Sequence, residues 1–225
     1  MANISTSVRQ VPQYVADGVP GDIRLNRRNE IITTDFLTQA SLEGRLFCAN
    51  MGTLTTPVTF AASGTIVGTI PCFMVTVPAG TTIIPVSIRV YYETFGTTAQ
   101  MEIMAAVGTG GVRAAGTAIT PTCMRSDAPN TSNCSIYGTA LTGCTYMTTN
   151  VSEFWRDGQQ YCITKTTANA TATASDPFTF TWRLIDSLTA PVCVGASQLM
   201  ICQGSQAGTG FIEFIYAEYP STAIV

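Results

Sequence analysis

Five carboxylates on strand-like segments, Glu93, Glu102, Asp186, Glu213 and Glu218, are the side chains of this sequence most open to acid–base chemistry. Two of them converging beside aromatic rings would make a glycosidase pair, one acting as acid and the other as base or nucleophile. Glu213 and Glu218 lie five residues apart, so a regular strand sends them to opposite faces. Solvated or ion-paired surface carboxylates explain the same residues. None of the 225 residues is a histidine, which excludes every triad that uses imidazole as base.

Eight cysteines, at positions 48, 72, 123, 134, 144, 162, 193 and 202, form no C-x-x-C pair and have no histidine to complete a mixed zinc site. Four of them sit among apolar residues, in "RLFCAN", "IPCFMV", "PVCVGA" and "LMICQG", and read as buried free thiols serving as small hydrophobes. Cys134 and Cys144 lie in a polar, Thr-rich region where a disulfide is the alternative. The glycine stretches "GTGGVRAAG" and "GSQAGTG" lack the Walker lysine and the strand-to-helix setting of a nucleotide loop, and read as loops. "RSDAPNTSN" does not end in the glutamate of a calcium loop. Five N-x-S/T triplets begin at Asn3, Asn130, Asn133, Asn150 and Asn169, a mild excess for a chain this rich in Ser and Thr. No cofactor, metal or catalytic group is expected. Tyr91 beside Glu93 is the first place to look for sugar binding.

Positioning any such side chain falls to β-structure. Thr occupies 36 positions, charged residues make up 11%, and 46% are hydrophobic. β-Branched side chains suit a pleated surface, and the helix formers Glu and Lys are scarce. Net charge is −3, with Lys165 as the only lysine, and no basic stripe lies outside Arg24, Arg27 and Arg28. Nucleic-acid binding by the body of the protein is therefore not expected. No apolar run is long enough to span a bilayer, and "MANISTSVRQVPQYVADG" has no hydrophobic signal core, so neither a membrane nor Sec export is expected. So little charge implies that other subunits cover part of the surface. The alternative is a neutral Ser/Thr/Gly surface on a monomer.

Residues 1–30 combine "QVPQYVADGVPGD", with its two prolines and two glycines, with "IRLNRRNE" and read as an extended arm, with Arg24, Arg27 and Arg28 reaching carboxylates on a neighbour; a solvated tail is the alternative. Residues 31–225 read as one β-sandwich domain. Thr33 or Thr34 is the expected cap of a short helix carrying Phe36, Leu37 and Ala40 on one side and ending at Gly44. "NVSEFWRDGQ" holds a second expected turn of helix, with Phe154 and Trp155 as its buried face. "TTPVTFAAS", "TIPCFMVTV", "QMEIMAAV", "SQLMICQG" and "GFIEFIYAEYP" read as strands. After the turn "PAG", Val86, Ile88, Val90 and Tyr92 alternate with Ser87, Arg89, Tyr91 and Glu93, so one face is core. Phe178, Phe180, Trp182 and Leu184 oppose Thr179, Thr181, Arg183 and Ile185 in the same way. Residues 113–174 are expected to form long loops or a pair of weak hairpins. Short strands between turn signals, without crossover helices, predict an all-β antiparallel sandwich of jelly-roll type.

"LEGRLFCANMGTLTTPVTF", "VPAGTTIIPVSIRVYYE", "GTALTGCTYMTTNVSEFWRDG" and "FTFTWRL" together resemble virion structural proteins of tailed bacteriophages, and are most similar to jelly-roll head proteins of the decoration or cement type. The resemblance covers about residues 22–219 and its motifs are structural. It implies a protein made in the host cytoplasm and carried on the outer face of the capsid, a homotrimer or other homo-oligomer that clamps adjacent major capsid proteins. Other virion roles (a head-fibre base, a vertex or tail protein, a coat subunit) and a carbohydrate-binding adhesin module are the competing expectations.

Overall fold

The computed structural model describes residues 35–53, 55–60, 66–95, 101–127, 129–139, 141–159, 178–187, 189–204 and 208–223. Arg24, Arg27 and Arg28, with the rest of the expected arm, lie outside the described residues.

Helix α1 (Phe36–Leu42) starts at Asp35 rather than at a threonine. The Asp35 carboxylate accepts from the backbone N–H of Leu37 and Thr38, both at 3.0 Å, and from the Thr38 hydroxyl. Oδ1 takes both amides and Oδ2 the hydroxyl, so one carboxylate caps the first turn. Gly44 ends the helix at φ 67°; its N–H reaches the Ser41 carbonyl at 3.0 Å and that of Arg45 reaches Ala40 at 2.8 Å, a closed C-terminal turn. Phe36 stays largely exposed, and Ala40 is the helix residue that is buried.

Among the described residues thirteen strands follow: β1 (Leu46–Met51), β2 (Val58–Thr59), β3 (Phe73–Val77), β4 (Thr81–Phe95), β5 (Met101–Thr109), β6 (Thr117–Ile119), β7 (Thr122–Cys123), β8 (Ser135–Gly138), β9 (Thr149–Gln159), β10 (Phe178–Arg183), β11 (Cys193–Val194), β12 (Ser197–Gly204) and β13 (Gly208–Pro220). One sheet runs β10-β4-β13-β1-β7, with β11 also beside β4 and β2 beside β13; the other runs β6-β8-β3-β12-β5-β9. Every pairing is antiparallel. Without the short additions, β10-β4-β13-β1 faces β3-β12-β5-β9, and the first and last long strands, β1 and β13, lie side by side. The chain changes sheet at most steps and returns to its start. This is the path of a jelly roll.

Alternation builds the core between the sheets. Ile88, Val90 and Tyr92 of β4, Phe180 and Trp182 of β10, and Phe214 of β13 meet Phe73, Ile103 and Leu199 of the second sheet. Val86 does not join them. β4 carries an extra residue there, because Ser87 pairs with Ile215 but Pro85 with Tyr216. The bulge reverses the parity of the strand, and Val86 packs on the outer face with Ala40, Leu46 and Ala217 under α1.

The other sheet is covered from outside as well. Leu141, Cys144 and Met147 lie over Met74, Met104, Ala106, Met200 and Cys202, so β12 is buried along its whole length. A strand buried on both faces reads as a continuous apolar run, as "LMIC" does. Residues 113–174 are therefore not only loops: they contain β6, β7, β8 and the eleven-residue β9. The expected helical turn at Phe154 and Trp155 is part of β9. Ala105 pairs with Trp155 and Ala106 with Glu153, leaving Phe154 as the extra residue of a bulge, which lets two consecutive aromatics pack against one core. Cys134 faces the core between the sheets and Cys144 the outer cluster, so the second sheet separates them; both are free thiols. Among the described residues no helix is long and apolar enough to cross a membrane.

Candidate functional site

On its outer face, the β10-β4-β13-β1 sheet presents side chains that α1 does not cover. The strand registers arrange them in rows. Asn50 of β1 is opposite Glu213 of β13, which is opposite Arg89 of β4, which is opposite Thr181 of β10. The neighbouring row holds Phe211, Tyr91 and Thr179. Same-face neighbours on adjacent strands lie close enough to interact directly.

Asn50, Arg89 and Glu213 of the first row and Tyr91 and Phe211 of the second line a groove of about 600 Å³. Its aromatic part is the Tyr91–Phe211 pair, with ring centroids 6.2 Å apart and planes tilted by 34°. Its charged part is Arg89 and Glu213, whose nearest nitrogen and oxygen are 3.7 Å apart. That exceeds the 2.7–3.2 Å of an N–H···O bond, so both groups keep hydrogen-bonding capacity. The loop after β1 closes one end at Gly52, where φ is 101° and an added Cβ would stand 2.6 Å from the Phe211 ring. Only glycine fits a left-handed backbone pressed this closely on a ring. Cys48, next on the same face of β1, lies 3.6 Å from the Asn50 Oδ1, and burial, helped by the Glu213 charge, pushes its thiol up.

Glu218 occupies a different setting, at the end of β13 beside a cavity of about 300 Å³. It is 6% exposed. It accepts from the Asn133 backbone N–H at 2.9 Å, the Asn133 side-chain amide at 2.8 Å and the Ser132 hydroxyl at 2.5 Å, and Ser132 in turn lies 2.6 Å from the Tyr216 hydroxyl. Asn130 donates to the Gly44 carbonyl at 2.8 Å, and Arg125 pairs with Asp127 while donating to the Leu42 carbonyl. The polar run "RSDAPNTSN" thus ties α1 and β13 together. It is a fastening for the fold.

The carboxylates singled out in the sequence are dispersed. Glu213 and Glu218 take opposite faces, Glu102 belongs to the other sheet, and Asp186 is exposed in a 3-10 turn at Leu184–Asp186. Glu93 is exposed, but it falls where the β4–β13 register slips between Thr209 and Gly210, so it leaves the row and Glu213 stands in the groove instead. Tyr91, which alternation puts on the face away from the core, lines the groove. Phe211 and Asn50 were not anticipated; the odd-numbered positions of "GFIEFIYAEY" carry the signal, since they put Phe211 and Glu213 on one face. Among the described residues no cluster of three or more His, Cys, Asp or Glu side chains has the grouping of a metal site. Comparison with known protein families, curated proteins and solved structures finds no match to this chain.

Proposed function

We propose that the chain is a structural protein of a bacteriophage virion, a decoration or cement protein that binds the outer surface of the head between major capsid proteins and works as a homotrimer or similar oligomer. One observation carries the reading. Among the described residues β10 and β11 form the sheet edge beside β4, and along it and the 3-10 turn between them Ile185, Val192 and Val194 are 80%, 46% and 52% exposed. Exposed apolar side chains along a sheet edge favour burial against a partner, because such an edge offers both apolar area and ladder hydrogen bonds. A rigid sandwich with a sparsely charged surface suits work done by contact area. Repeated contacts of ~800 Å² per partner would accumulate avidity across a shell.

The test is a mass-spectrometric inventory of purified particles of the virus that encodes the chain. A cement protein rivals the major capsid protein in copy number, and the double substitution Ile185→Asp with Val194→Asp releases it from the particle without unfolding it. A scarce copy number moves the role to a vertex, fibre base or tail. Absence from particles ends the proposal.

A further inference from the structure

We infer that the groove between Asn50, Arg89, Tyr91, Phe211 and Glu213 is a binding site for a neutral glycan, with one pyranose ring lying on the Tyr91–Phe211 pair. The inference stands apart from the virion reading, which rests on a different part of the sheet.

Three features on the outer face converge on this class of ligand. Two rings tilted by 34° make a shallow trough, against which the C–H face of a sugar can bury apolar area. The row beside that trough carries polar groups: Arg89 donates, Glu213 accepts, and the Asn50 amide does both. A pair of adjacent hydroxyls requires that mixture of donors and acceptors. The charges also balance, one guanidinium against one carboxylate, so a polyanion meets Glu213 and a polycation meets Arg89, while a neutral polyhydroxylated ring meets neither penalty. The volume of about 600 Å³ lies within the ~300–1,000 Å³ of small-ligand sites. Gly52 leaves the Phe211 ring room to lie against the backbone of the loop after β1, a wall built by the fold rather than by the ligand, which lowers the ordering that binding requires.

The experiment uses the full-length, isotope-labelled protein and follows amide resonances while cello-, malto-, xylo- and chito-oligosaccharides are added to about 10 mM, because one stacked ring with a few hydrogen bonds binds in the millimolar to micromolar range. At least one neutral oligosaccharide is expected to shift Asn50, Tyr91, Phe211 and their strand neighbours. Tyr91→Ala should weaken that binding by about tenfold, in keeping with one aromatic contact, and Tyr91→Phe should retain it. Asn50→Ala, at an exposed position, gives a second loss of affinity if Tyr91→Ala folds poorly. Groove resonances that ignore all four sugars overturn the inference, as does wild-type affinity in both alanine variants. So does tighter binding of hyaluronan or polyglutamate than of any neutral glycan. None of these outcomes alters whether the protein is found in particles.

Discussion

Glu218 shows how much of this fold hangs on single polar side chains. Its carboxylate gathers three donors from Ser132 and Asn133 in a place nearly closed to water. Glu218→Ala leaves those donors without an acceptor and should cost roughly 3 kcal/mol, the scale of a buried charged hydrogen-bond set, read as a fall in the urea midpoint. Glu218→Gln keeps one acceptor oxygen and should cost less.

The thiols make a prediction with a sign. Burial pushes Cys193 up to about 12 from an ordinary 9.0, and pushes Cys202, Cys134 and Tyr216 up as well. Groups that resist ionising when folded contribute stability that is complete below their unfolded values and is lost as pH climbs toward the folded ones. The protein should therefore lose stability from about pH 9 upward, measured as a falling melting temperature in a pH series. Of the seven cysteines described, Cys48 is half-buried and the other six are buried, so native-state thiol labelling should reach Cys48 first and the six only on unfolding.

At the level of elements, β4 and β13 form the spine of one sheet, and their two bulges decide which side chains face where. Gly210 sits at one of them, and an added Cβ would stand 1.9 Å from the Tyr91 carbonyl oxygen. Backbone cannot yield as a flexible side chain does, so Gly210→Ala should destabilise by about 3 kcal/mol or more, with the groove lost along with the register. Where the two sheets meet at β9 and β10, Trp182 packs edge-on against Phe154 with centroids 5.1 Å apart. Trp182→Ala empties a large buried site and should cost about 3–5 kcal/mol. A melting temperature close to wild type would contradict the assigned face.

For the whole molecule, α1 and every described strand lie after Asp35. Deleting residues 1–30 should leave the melting temperature within about 2 °C, since no described element is removed. On the virion reading, the same deletion weakens attachment to the particle. Undiminished saturation of capsids by the truncated protein would refute a role for Arg24, Arg27 and Arg28 in contact.

The all-β class, the alternation of Phe180 and Trp182 against Thr179 and Thr181, and the stop at Gly44 were fixed by local chemistry, because pleat parity and a left-handed glycine depend on neighbours in the chain. Tyr91 could be assigned to an outward face for the same reason. Val86, Phe154 and β9 could not be read this way, since a bulge is defined by the partner strand and shifts parity without a local signature. The burial of β12 on both sides depended on residues 141–147 returning over it. The groove, too, exists only in the folded sheet: Asn50, Arg89 and Glu213 are distant in sequence, and hydrogen-bond register alone sets them in one row.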